Sequence, residues 1–244
     1  MTARRHVQHC MGTVFSFDIR EPGVSLSAVE MAIARLHQID REFSTYRSDS
    51  AISRLNAGLD RLEDLSPEVR MVLAQCELWR AYTDGWFSAT AGQLLDPSGY
   101  VKGWAIQQVS DILTAAGSVR HNINGGGDVV CTGDSGAGQP WKIGLSDPRD
   151  SAVISRTVSG IDFAVATSGT AERGQHILNP HTGSPAADHL ISLTVSGPSI
   201  IECDVLATAG FAMGSSAHNW FKAHADVSAF AVEVAGGTWS TFGS

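Results

Sequence analysis

The hydrophobic period of this chain changes at Gly117. Before that glycine, long segments repeat apolar residues at helical spacing; after it, short segments alternate apolar and polar. Helices grouped early and strands grouped late restrict the fold class to α+β with mostly antiparallel sheet. A strand over 13–19 comes first. Ser27 and Glu30 have capping-box spacing ahead of a helix that places Val29, Ala32, Ile33, Leu36 and Phe43 near one face. Ser66-Pro67 opens a second helix with proline at its first position, carrying Val69, Val72, Leu73, Cys76 and Trp79 and stopping before Gly85. A third spans 102–116 and ends on Gly117, a C′ glycine. Strands are expected near 121–123, 128–131, 141–145, 153–158, 163–167, 190–195 and 228–234, with helical turns over 201–213 and around Trp220.

Composition narrows the function classes. At 244 residues and 43% hydrophobic, the chain has ample material for a core, in one domain or two small lobes, without a disulfide or structural metal. Lys plus Arg number 17 against 25 Asp plus Glu, a net charge of −8, and no stretch collects cations into a stripe. Nucleic acid and anionic membrane are therefore not expected partners. The apolar runs fall well short of the ~18 residues that a membrane span needs. Arg4 and Arg5 have no apolar segment behind them, so no export signal is read and a cytoplasmic location is expected. Cys10, Cys76, Cys131 and Cys203 are far apart in sequence and are expected as buried free thiols.

Four polar, glycine-rich segments fall between these elements, where scaffolds display function. In the first, 96–104, Lys102 and a permissive turn precede a helix N-terminus, suited to a phosphate-bearing ligand or, alternatively, only to a solvated loop. In the second, Gly125-Gly126-Gly127 ahead of Asp128 lets backbone approach a ligand closely, or makes a tight hairpin. It lacks the spacing of a dinucleotide or Walker loop. Gly133-Asp134-Ser135-Gly136 looks like a trypsin-type nucleophile loop without its companions and is expected to be a turn. The third segment runs from Ala166-Thr167-Ser168-Gly169 through Arg173 to His176 and on to His181-Thr182-Gly183. His176 is a candidate general base, or a loop histidine satisfied by backbone. Its spacing of five from His181, with no thiolate nearby, does not suit zinc. In the fourth, Asp204 and Thr208 lie one turn apart on an otherwise apolar helix. A carboxylate and a hydroxyl are hard donors that suit Mg²⁺, although Asp204 also fits as a simple charge at a helix N-terminus.

Taken together, and in order over nearly the whole chain, the motifs resemble the FAD:protein FMN transferase (ApbE-like flavin transferase) family. They are Met11-Gly12-Thr13, Ser44-Thr45-Tyr46 with Ser50 and Leu55-Asn56, Asp84-Gly85 with Thr90, Asp96 with Lys102-Gly103, Gly126-Gly127-Asp128, Trp141 with Asp147-Pro148, Thr167-Ser168-Gly169, 176–183, and Asp204 to Thr208. The resemblance implies one ApbE-like, T-fold-related domain over 1–244. It implies an enzyme that uses FAD and Mg²⁺, attacks the pyrophosphate at the FMN-side phosphorus, and joins FMN to a Thr or Ser hydroxyl of an acceptor protein as AMP leaves. Met11, Tyr46, Trp86, Phe87, Ser88, Asp96, Lys102 and Ile177 would line the FAD site. Asp204, Thr208 and the Gly99 carbonyl would hold the metal, and His176 would be the base.

The chain also departs from the family pattern. Phe87-Ser88-Ala89-Thr90 replaces the usual F-D-P-T, Ala51 replaces an acidic residue, Gln107-Gln108 stands where V-D is common, and the stretch between Thr90 and Asp96 is short. A more open flavin pocket is the expected consequence. FAD hydrolysis by water and a non-catalytic flavin-binding module are the competing readings; retained Lys102, His176, Asp204 and Thr208 weigh against the second.

Overall fold

The computed structural model describes residues 4–170, 174, 177–186, 189–224 and 226–242. A hairpin of β1 (Arg4–Cys10) and β2 (Thr13–Ile19) leads into α1 (Leu26–Phe43), α2 (Ala51–Asn56), α3 (Pro67–Tyr82) and α4 (Ser98–Ala115). Six strands follow: β3 (His121–Gly125), β4 (Asp128–Thr132), β5 (Trp141–Asp147), β6 (Asp150–Gly160), β7 (Phe163–Gly169) and β8 (Leu190–Gly197). After α5 (Ile200–Met213) and α6 (Ala217–Ala223) the chain ends on β9 (Ser228–Glu233) and β10 (Thr238–Ser240). The fold is α+β, and every strand pairing among the described residues is antiparallel.

One eight-stranded sheet runs in the order β1-β2-β3-β4-β7-β8-β9-β10, and β5 and β6 form a separate two-stranded ribbon. Side chains alternate between the two faces of a strand, and the sheet uses both. On one face Phe15, Phe17, Ile123, Val130, Ala164, Ala166, Leu193 and Val195 pack with α1, α4 and α5 in the main core. On the other, Val129, Cys131, Phe163, Val165, Phe230 and Val232 pack with Trp141, Leu145 and Val158 of the ribbon in a second, smaller core. The sheet is thus covered by helices on one side and, over its middle, by the ribbon on the other. Helix α5 is buried along almost its whole length, which explains why its sequence is apolar all round.

Several elements differ from the sequence expectation, each for a physical reason. Strand β1 reads Arg-Arg-His-Val-Gln-His-Cys, too polar to signal a strand, because it lies at the sheet edge and is paired only to β2. The N-cap of α1 is Ser25, whose Oγ accepts from the Ala28 amide at 3.2 Å, so the helix is capped two residues before the expected Ser27 and, with Ala28 at N3, without a capping box. Helix α2 is six residues long, too short to show a period. Helix α4 begins at Ser98, four residues before the expected start at 102, because Gly99 and Gly103 mask its helical pattern. The four cysteines are buried and unbridged. Burial pushes the Cys10 thiol up to about 11 and the Cys76 thiol up to about 12.

Candidate active site

The pairing of β4 with β7 spans Val129↔Val165 to Cys131↔Phe163 and goes no further toward Gly127. Where the next ladder bond would fall, the Asp128 side chain intervenes, its Oδ1 accepting from the Thr167 amide at 2.9 Å. Beside it Gly126 and Gly127 turn with φ of 61° and 93°. A Cβ at Gly126 would lie 2.6 Å from Thr13 Oγ1, so only glycine fits there.

A cavity of about 810 Å³ opens at this point. Its lining includes the Met11-Gly12 turn, the Phe43–Arg47 stretch at the end of α1, the first turn of α4, the ribbon from Ile143 to Pro148, and Thr167, Ser192, Thr194 and Phe230 of the sheet. Lys102, Asp204 and Thr208 reach the same cavity from the helical side.

Polar groups at its centre are tightly ordered. Asp128 is wholly buried and Asp204 is 2% exposed. The Lys102 ammonium contacts Asp128 Oδ2 and lies 3.5 Å from Asp204 Oδ1. Asp204 Oδ2 accepts from the Gly103 amide at 2.7 Å. A regular helix would direct that amide at the Gly99 carbonyl, so the carboxylate draws on the backbone next to a candidate metal ligand. The approach is possible because position 103 is glycine: a Cβ there would stand 2.9 Å from Asp204 Cβ and 2.9 Å from the Ile200 carbonyl. Thr208 Oγ1 is 3.3 Å from Ser168 Oγ. Burial raises the Asp204 carboxyl above the usual carboxylate range, Lys102 pulls it back down, and the nearby Asp128 adds to the rise.

Seven of the expected site residues therefore meet in one cavity: Met11, Tyr46, Gly99, Lys102, Ile177, Asp204 and Thr208. Tyr46, 94% exposed, stands at the mouth. Trp86, Phe87, Ser88 and Asp96 are not in the lining. Phe87 is buried behind the first turn of α4, where a Cβ on Gly99 would come within 3.2 Å of its ring. Trp86 packs edge-on against His181, with ring centroids 4.4 Å apart. The Ser88 hydroxyl bonds the Thr90 amide at 3.1 Å. Asp96 is exposed and accepts from the Ser98 amide at 2.9 Å, leading into α4. His176 and Arg173 lie outside the described residues.

The sequence reading gave no role to the Asp128 carboxylate, to the ribbon wall, or to the hydroxyl floor in which Thr167 sits opposite Thr194 with Oγ1 atoms 2.8 Å apart. The alternation of β8, with Ser192, Thr194 and Ser196 on one face, was the available signal for the floor.

This chain belongs to the ApbE family, whose model matches residues 11–96 and 92–231. A curated relative from Vibrio cholerae serotype O1, named FAD:protein FMN transferase, is 26% identical over 265 residues, covering 84% of this chain and 79% of the relative. The structure of flavinyl transferase ApbE from Pseudomonas stutzeri, in its apo form, superposes with a TM-score of 0.83 at 25% identity, covering 99% of this chain and 95% of that one. The ApbE protein of Thermotoga maritima shares the fold with a TM-score of 0.88 at 20% identity, covering 99% and 97% of the two chains. Among the described residues, no helix is long and apolar enough to cross a membrane.

Proposed function

We propose that this chain is an FAD:protein FMN transferase, acting through one ApbE-like unit over 1–244 that moves FMN from FAD to a Thr or Ser hydroxyl of an acceptor protein and releases AMP. The observation that carries the reading is one cavity that brings Lys102, Asp204 and Thr208 together with Met11 in its wall and Tyr46 at its mouth. The Vibrio cholerae relative named FAD:protein FMN transferase supports it.

The donor set fits Mg²⁺. Two buried carboxylates face one ammonium, leaving net negative charge, and among the described residues no trio of His, Cys, Asp or Glu is gathered as an alternative. Asp204, Thr208 and the Gly99 carbonyl, all hard oxygens, would hold the ion, which when bound neutralises pyrophosphate charge. Lys102 binds the phosphate oxygens, because it and Arg47 are the cations of the described lining. Met11 and Ile177 give the ring system apolar wall, and Tyr46 covers it from the mouth. The acceptor hydroxyl oxygen bonds to the FMN-side phosphorus as the bond to the AMP oxygen breaks, and His176 takes the hydroxyl proton. Action in the cytoplasm belongs to this reading and is testable by fractionation.

The decisive experiment incubates the protein with FAD, Mg²⁺ and candidate acceptors, measuring acceptor mass and free AMP. An acceptor gain of one FMN with AMP release is expected, and Asp204→Ala should slow release by on the order of a hundredfold or more. Unchanged release in that variant would remove Asp204 from the metal site; free FMN without an adduct would make water the nucleophile. His176→Ala should leave FAD affinity within about threefold while slowing transfer roughly a hundredfold.

A further inference from the structure

Asp128 has no part in the chemistry proposed above, yet it is a carboxylate with no exposed surface. Its bond from the Thr167 amide, at 2.9 Å, needs only an acceptor, which a neutral asparagine would also supply. Burying the charge is costly without a partner, and the partner is Lys102. Of the two carboxylates near the ammonium, Asp128 is the closer and Asp204 stands off at 3.5 Å. The Asp204 oxygen facing Lys102 is Oδ1, while Oδ2 is already engaged by the Gly103 amide. A cation bound through Asp204 Oδ1 therefore takes the same oxygen that the ammonium would take.

We propose that Asp128 is a positioning residue: it draws the Lys102 ammonium toward itself and so keeps Asp204 Oδ1 open to a divalent cation. The inference rests on the metal reading of Asp204. Asp128 can do this because it cannot swing, being pinned through Oδ1 to the β7 backbone and placed at the end of a glycine turn. As a unit the Lys102–Asp128 pair is neutral, so the charge offered to the metal is that of Asp204. With Asp128 neutralised, the pull of the ammonium passes to Asp204, and Lys102 competes with the metal.

Mn²⁺ titration followed by electron paramagnetic resonance reads this without turnover. Asp128→Asn keeps the shape and the Thr167 bond, and should weaken Mn²⁺ binding by at least about tenfold through the freed competitor. Combining Asp128→Asn with Lys102→Met removes the competitor with its anchor, and affinity should return to within about threefold of wild type, the non-additivity expected of coupled partners. Asp128→Asn binding Mn²⁺ as tightly as wild type would overturn the inference. So would a double variant as weak as Asp128→Asn, because Asp128 would then act on the site without Lys102. Should Asp128→Asn fail to fold, the equally neutral Asp128→Ser is read against the same tenfold and threefold limits, alone and combined with Lys102→Met. A wild-type chain that binds no Mn²⁺ would overturn the metal reading itself, an outcome separate from the other two.

Discussion

Met11 is a non-glycine residue held in left-handed backbone, φ 54°, followed by Gly12 at φ 68°, and together they form the two-residue turn between β1 and β2. For an L-residue that conformation costs about 1 kcal/mol or more, a strain placed at the wall of the cavity. Met11→Gly should therefore stabilise the fold, though by less than about 1 kcal/mol because Met11 also packs on the main core, while weakening FAD binding. Calorimetry and flavin-fluorescence titration would show the two effects with opposite signs; a variant that loses both would mean the methionine anchors the hairpin. His121 makes a different demand. It is fully buried between Ser110 and Ser118 hydroxyls at 2.8 and 3.0 Å, and burial lowers its pKa from 6.5 to about 4. Because the unfolded chain takes up the proton first, the stability that His121 contributes is fully present above about pH 6.5 and is lost as pH falls toward 4, a change of ~3 kcal/mol. Urea melts at pH 7 and 4.5 should differ more for wild type than for His121→Gln. At this scale the sequence displayed Asp204 and Thr208, because two polar groups stand out in an apolar helix. It concealed Asp128, whose significance depends on a lysine from another element.

The helices show where local signals suffice and where they mislead. Ser66 caps α3 as its Ser-Pro signature requires, its Oγ accepting from Val69 at 3.2 Å. In α1 two serines compete, and a downstream glutamate favours Ser27 on spacing alone; the backbone places Ser25 in the extended cap conformation, φ −71° and ψ 154°. Ser25→Ala should cost about 1 kcal/mol and Ser27→Ala less than about 0.5 kcal/mol in chemical denaturation; the reverse order would restore the capping box at Ser27. The strands β3 to β9 were legible because each is a short run bounded by turn residues, alternating where one face is buried, as in β3, and continuously apolar where both are, as in β4 and β7. Strand β1 and the short β10 were not, since an edge needs little apolar content. Helix α4 was found but begun too late, because the glycines that bring it against Asp204 and Thr208 are poor helix formers.

Across the whole molecule, the order of elements foretold an α+β fold but not the sheet's two unequal coverings. That division follows from long-range pairing, β4 beside β7 with the β5–β6 excursion between them, which no local pattern encodes. The ribbon is fastened by its small core and by Arg20 over Trp141 at 4.9 Å and Arg156 over Phe242 at 4.7 Å. It also forms a wall of the cavity. A ligand spanning that cavity touches both ribbon and sheet, so its binding energy adds to a seam that is otherwise thin. FAD should slow hydrogen exchange of ribbon amides more than of β2 or β3 amides; equal slowing everywhere would show the ribbon already fused to the sheet. The ligand is then mortar as well as cargo: the lifetime of the ribbon wall records whether the cavity is full, and emptying the cavity softens the masonry around it.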